Sequence, residues 1–201
     1  MQPFVKLTAI AAPYDRVNVD TDQIIPARFL LKRRTDPAYP GYLFHDLRFA
    51  ADGSERDFVL NQPAYRGAQI FVGSENFGGG SSREAAAIAF STYGVRCVIA
   101  VSFGDIFYSN CIKNGILPIR LPNEAASALR AQAHAKPGAM LSIDLPAQTV
   151  TGFDGNIHRF EIDSLNKSCL IEGLSQIALT LRHRDAIDAF ERRYRETVSW
   201  V

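Results

Sequence analysis

The stretch Gln69–Ser102, QIFVGSENFGGGSSREAAAIAFSTYGVRCVIAVS, decides how the chain is read. Gln69-Ile70-Phe71-Val72-Gly73 is strand-like, and Ala85, Ala86, Ala87 and Ala89 are strong helix formers, so a helix is expected over Ser82–Tyr93. Val95–Ser102 reads as the next strand. Strand, glycine turn and helix make a ready anion site, because N–H groups at a helix start point outward where the dipole favours negative charge. Arg83 at that start can fork onto a carboxylate or phosphate. A plainer reading stands beside it: Ser81-x-x-Glu84 is a capping box that satisfies the helix's own N–H groups. The triplet Gly78-Gly79-Gly80 tilts the balance toward a ligand. A cap needs one non-helical residue, whereas three glycines cost backbone entropy.

The alternation continues outward. Asp105–Asn114 reads as a helix and Leu117–Leu121 as a strand, and Asn123 suits the N-cap of a helix over Glu124–Ala135. This pattern predicts an α/β core with mostly parallel strands. Upstream, Phe4–Ala11 is a first strand and Asn18–Pro26 a polar loop. Ala27–Arg34 and Tyr42–Phe49 read as short helices or turns, and Phe58–Asn61 as extended. Downstream, Met140–Leu145, Gln148–Phe153 and Asn156–Ile162 are short strands, the last two joined at Gly152–Gly155 as a hairpin. Two or three helices close the chain. In the last, Ile187, Phe190 and Tyr194 recur at helical spacing, a stripe for core or interface packing.

A length of 201 residues suits one domain, and 47% hydrophobic residues are enough for a real core. A net charge of +1, from 22 basic and 21 acidic side chains, argues against a nucleic-acid footprint, and the local basic clusters Lys32-Arg33-Arg34 and Arg192-Arg193 read as solvated faces. No signal-peptide segment and no 18-residue apolar run is seen, so a soluble, cytoplasmic protein is expected. Cys97, Cys111 and Cys169 match no zinc or iron–sulfur spacing, and Cys97 lies in an apolar run that suits a buried thiol.

A second polar cluster is Asp20-Thr21-Asp22. Its carboxylates could serve a metal or orient a hydroxyl, or each could bond its own backbone as an Asx-turn. Other constellations are absent: the glycine run is neither a G-x-S-x-G elbow, a P-loop nor G-x-G-x-x-G. His45, His134, His158 and His183 show no paired metal spacing.

Seven segments in order carry a family resemblance: NVDTDQIIPARFL, YLFHDLRF, DFVLNQPAYRGAQI, ENFGGGSSRE, DIFYSN, KNGILP and GLSQIALTL. Together they span nearly the whole chain, which resembles the small subunits of 3-isopropylmalate dehydratase (isopropylmalate isomerase), within the aconitase superfamily. The resemblance implies a swivelling β/β/α domain: a mixed-sheet, barrel-like core flanked by helices. Residues 1–201 would form a single aconitase-type swivel domain with a C-terminal helical extension. It also implies a heterodimer with a large subunit that carries a [4Fe-4S] cluster, no cofactor being held by this chain alone. The implied reaction isomerises 2-isopropylmalate to 3-isopropylmalate by dehydration and rehydration, in leucine biosynthesis.

By resemblance Ser81 is the catalytic base, acting as an alkoxide, and Ser82 and Arg83 contact substrate carboxylates. Asp22 and Thr21 support the site, as do Gly78, Gly79 and Gly80. Leu31 belongs to a loop that senses the group at the substrate's γ-position, and its apolar side chain suits an isopropyl group. The alternative for Leu31 is an ordinary core residue. The family usually has cysteine at Gly79 and histidine at Ala85. These departures keep two other readings open: a hydro-lyase subunit for another 2-alkylmalate, and a non-catalytic paralogue that retained the anion site.

Overall fold

Ile70-Phe71-Val72 and Cys97-Val98-Ile99-Ala100 are apolar at every position, so strands built from them must be covered on both faces. The computed structural model describes residues 1–80, 83–198 and 200, and meets that demand with one mixed sheet between two helical layers. In chain order the elements begin with β1 (Lys6–Pro13), α1 (Thr21–Ile24), α2 (His45–Arg48) and β2 (Ile70–Val72). They continue with α3 (Glu84–Tyr93), β3 (Cys97–Ala100), α4 (Asp105–Lys113), β4 (Leu117–Arg120) and α5 (Asn123–Ala135). The later part contributes β5 (Met140–Asp144), β6 (Thr149–Thr151), β7 (Ile157–Arg159), α6 (Ser164–Glu172), α7 (Gln176–Leu181) and α8 (Arg184–Thr197).

The described residues form a seven-stranded sheet in the order β4-β3-β2-β1-β5-β6-β7. From β1 to β4 the pairing is parallel, with Ala11 opposite Ile70 and Ile70 opposite Cys97. From β1 to β7 through β5 it is antiparallel. β1 is therefore the seam between the two halves. The end strands approach each other, because residues after β4 (Leu121) and after β7 (Phe160) wall the same cavity of about 760 Å³. This curl is the barrel-like character that the sequence resemblance implies.

Side chains alternate between two cores, as strand geometry requires. Ala12, Phe71, Val98 and Ala100 face one layer, packed by Ile24 and Ile25, by Phe90 of α3 and by Phe107 of α4. Ala11, Ile70, Val72, Cys97 and Ile99 face the other, packed by Leu129 of α5 and Leu170 of α6. The first layer is dense in rings: Phe71 lies within 6 Å of Phe44, Phe77 and Phe90. Cys97 is fully buried, and burial pushes its thiol well above the ordinary range.

Several local expectations are corrected. Within the expected loop Asn18–Pro26, residues Thr21–Ile24 make a helical turn, because Asp20 accepts the Gln23 N–H at 2.7 Å as an N-cap. Val59–Asn61 is a 3₁₀ turn rather than extended, held by the Asn61 amide on the carbonyls of Arg48 and Arg56. Helix α3 starts at Glu84 with Arg83 in the N-cap place and no side-chain cap, so Glu84 is not in the third helical position that a capping box needs. Its carboxylate instead accepts from Asn114 at 3.2 Å. Pro122, not Asn123, stands at the N-cap of α5, where its fixed φ suits the boundary, and Asn123 accepts the Ser127 hydroxyl. On α8, Phe190 is 58% and Tyr194 43% exposed, so the apolar stripe is not core. Among the described residues no helix is long and apolar enough to cross a membrane.

Gly78 has φ +72°, and a Cβ built there would lie 2.2 Å from the Phe107 ring. Gly41 has open space and ordinary φ. Gly78→Ala is expected to lower the unfolding free energy by about 3 kcal/mol, while Gly41→Ala leaves it within about 0.5 kcal/mol. Urea denaturation of the two variants checks both.

Candidate active site

The site is built where three parallel strands end. Open α/β sheets offer ligands a crevice outside the carboxyl ends of their strands. After β1 the chain runs through Tyr14 to Asp20; after β2 it runs through Ser74 to Gly80; after β3 it turns at Ser102–Gly104. Backbone hydrogen bonds join the three. The Val19 carbonyl accepts the N–H of Gly78 at 2.7 Å and of Gly79 at 3.2 Å, and Thr21 N–H donates to the Gly79 carbonyl at 3.0 Å. Asp20 and Gly79 form a parallel bridge. Phe77 N–H donates to the Ser102 carbonyl, and the Ser102 hydroxyl accepts the Asn76 N–H at 2.8 Å. Gly104 is needed for this approach, since a Cβ on it would sit 2.5 Å from the Gly78 carbonyl.

Two sequence clusters that lie about sixty residues apart are thus brought into contact. The Asx-turn reading holds for Asp20, which caps α1, and fails for Asp22, which forms an ion pair with the Arg83 guanidinium. Arg83 is mostly buried by its surroundings, while Asp22 is half exposed. Among the described residues, one Arg83 guanidinium nitrogen donates to Asp22. Thr21 is buried.

The N–H groups of Gly78 and Gly79 are spent on Val19 rather than offered to an anion. Gly78 and Gly80 are glycine for conformation, at φ +72° and +85°. Donors for an anion are then those at the start of α3, which sits directly after this loop. Ser81 and Ser82, between Gly80 and Arg83, lie outside the described residues. At Gly79 a Cβ would come 3.0 Å from Asn76 Oδ1, so cysteine there would require the Asn76 amide to move. That amide donates to Asn18 at 3.0 Å.

Leu31 is 98% exposed, which rules out the core alternative. It projects from a stiff pedestal. Phe29 stacks on Tyr42 with centroids 4.2 Å apart, and Arg28 is paired with Asp46 and lies over the Phe29 ring. Arg34 carries the loop across to the helices, donating at 3.3 Å to Asn114, whose amide donates in turn to Glu84 at the start of α3. Sequence reasoning passed over Asn114, Asn76 and Ser102. The first lies in KNGILP and the second in ENFGGGSSRE, so the motifs were seen but not their hydrogen bonds.

No cluster of three or more His, Cys, Asp or Glu able to hold a metal ion occurs among the described residues. Cys97 and Cys111 are sealed in the core with thiols pushed well above their ordinary values, the opposite of what cluster ligation needs. These two thiols are therefore unsuited to ligate an iron–sulfur cluster.

Residues 1–124 match the family model of the aconitase C-terminal domain. Residues 127–164 match LeuD_N, and 177–201 match the C-terminal domain of 3-isopropylmalate dehydratase small subunits. The chain is 50% identical to the 3-isopropylmalate dehydratase small subunit of Cereibacter sphaeroides over the full length of both chains. The corresponding protein of Jannaschia is equally similar, again at 50% over the full length of both chains. A solved structure titled 3-isopropylmalate dehydratase from Methanocaldococcus jannaschii superposes with a TM-score of 0.64 at 28% identity, covering 92% of this chain and 99% of that one.

The Leu31 pedestal has a pH signature. The Arg28 hydrogen bond, helped by His45, lowers the Asp46 carboxyl from 3.8 to about 2. Its folded pKa lies below its unfolded value, so the pair's stabilisation is complete above about pH 4 and is lost as pH falls through about 2. Both partners are half exposed, which limits the effect to about 1 kcal/mol or less. Asp46→Asn is expected to flatten this part of the acid limb, as read by denaturation at a series of pH values between 5 and 2.

Proposed function

The chain belongs to the 3-isopropylmalate dehydratase small-subunit family, and from that premise we propose that it forms one half of a two-chain hydro-lyase active site. The enzyme isomerises 2-isopropylmalate to 3-isopropylmalate in leucine biosynthesis. The observation that carries the reading is the convergence of Asp22 and Arg83 at the carboxyl ends of the parallel strands, Arg83 directly following Ser81 and Ser82 in the chain.

Ser81 is the base in this proposal. A serine hydroxyl is far too weak an acid to ionise alone at neutral pH, so its alkoxide needs fixed positive potential. The first turn of α3 and the Arg83 guanidinium supply it. Ser81 takes a proton from substrate carbon as hydroxide leaves the neighbouring carbon, giving an alkene. A proton and a hydroxide then add back across the alkene, with the hydroxyl now on the other carbon. Ser82 and Arg83 hold substrate carboxylates through both halves, and Asp22 keeps Arg83 aimed before substrate arrives. Leu31 meets the isopropyl group, where a distal carboxylate would go unpaired. A [4Fe-4S] cluster held by the large subunit would supply a Lewis acid for the departing hydroxyl. Free, buried cysteines suit a reducing cytoplasm.

Purification with a matching large subunit and assay of isomerase activity tests the reading. Ser81→Ala is expected to cost roughly 10³-fold or more in kcat, and Arg83→Lys to raise KM through loss of its planar fork. Full activity of Ser81→Ala would remove Ser81 as base. Leu31→Arg is expected to cut kcat/KM for 2-isopropylmalate by roughly 10-fold or more. The same change favours a substrate that ends in a carboxylate.

A further inference from the structure

Helix α5 packs on the sheet face opposite α3, yet one of its side chains reaches the strand ends that carry the site. Arg130 is 7% exposed, and its guanidinium donates in three directions. Nε donates to Asp15 Oδ1 at 2.9 Å, one terminal nitrogen to the Gly73 carbonyl at 2.7 Å, and the other to the Ser127 hydroxyl at 2.9 Å. Ser127 donates onward to Asn123 at 3.0 Å, which ties the guanidinium to its own helix. The second oxygen of Asp15 lies 2.6 Å from the His134 ring, one turn further along α5.

Asp15 follows the end of β1, and Gly73 follows directly on β2. The two strands pair in parallel as far as Pro13 and Val72, and the Tyr14 N–H still reaches the Val72 carbonyl at 2.8 Å. Among the described residues, the next backbone hydrogen bond between the two segments runs from Asn18 N–H to the Glu75 carbonyl at 3.0 Å. Arg130 fills the interval, joining Asp15 to Gly73 where the two backbones do not bond each other. The Val19 carbonyl then takes over with the N–H groups of Gly78 and Gly79. A rigid planar fork suits this place because it holds two acceptors at a set spacing, which the single ammonium of lysine does not. Its loss would leave the Gly73 carbonyl without this donor and Asp15 without its buried cation.

We propose that Arg130 is a positioning residue for the isomerisation, an inference that rests on the function proposed above. It sets the spacing of the two strand exits and, through the Val19 joint, the meeting of Asp22 with Arg83. It acts through the backbone of those exits and not on the substrate.

Two measurements test this. In the full chain alone, amide hydrogen exchange followed by NMR reads the N–H groups of Gly78 and Gly79. Arg130→Met is expected to speed their exchange about 5- to 10-fold. The Phe49 N–H, held by the His45 carbonyl at 2.9 Å on another element, should keep its rate. With a matching large subunit, Arg130→Met is expected to raise KM for 2-isopropylmalate about 5-fold or more, measured well below the unfolding midpoint. A merely structural arginine would lower the folded fraction, and with it kcat, at constant KM. Arg130→Lys keeps the charge without the fork and should fall between wild type and Arg130→Met in both measurements; it carries them alone if Arg130→Met does not fold. Wild-type exchange at Gly78 and Gly79 in a folded variant, or a kcat loss at unchanged KM, overturns the proposal. Wild-type protein without isomerase activity would instead overturn the function, and the exchange rates would still decide whether Arg130 holds the loop.

Discussion

The Val19 carbonyl, accepting from both Gly78 and Gly79, is the constraint on which the rest of the site depends. It joins the end of β1 to the loop after β2, and the Thr21–Gly79 hydrogen bond closes the joint from the other side. Buried backbone groups must find partners, and here they find them across a sequence gap rather than within a strand or helix. Asp22 and Arg83 meet only because this joint sets the two segments side by side.

The aromatic layer beneath makes the joint possible. Phe77 turns inward between Phe71, Phe90 and Phe107, while Gly78 passes so close over Phe107 that no side chain fits. Gly104 brings the loop after β3 up against the Gly78 carbonyl from the far side. The glycine triplet is therefore a packing device before it is a binding device. Its close approaches fix where α3 begins, and hence where that helix's unpaired N–H groups point.

A second line of positioning runs through charge and amide groups. Arg34 reaches Asn114, and Asn114 reaches Glu84, so the exposed Leu31 loop and the start of α3 share one buried amide. Arg28 and Asp46 brace the same loop from its other side. An apolar side chain left in water on a braced turn costs solvation in the lone chain. It is consistent with a surface that another molecule covers.

Local chemistry was enough to read the strands around Phe71 and Val98, the helices that follow them, the hairpin at Gly152–Gly155 and the buried Cys97. Each rests on a short-range signal: apolar runs, alanine-rich helix, glycine turns. The ordered motifs carried the family and are the ground on which the site residues are proposed. Local chemistry did not tell Asp20 from Asp22; only the resemblance singled out Asp22. The two are chemically alike, and only the position of Arg83 in space makes one a helix cap and the other its ion-pair partner. Nor could sequence assign the Gly78 and Gly79 N–H groups to Val19 or expose Leu31. Periodicity and propensity act over a few residues, so the sequence by itself determined the elements and the family. The hydrogen bonds and ion pair that assemble the site span about sixty residues, and only the tertiary structure decided them, because a donor or a charge has no partner until the fold brings one within reach.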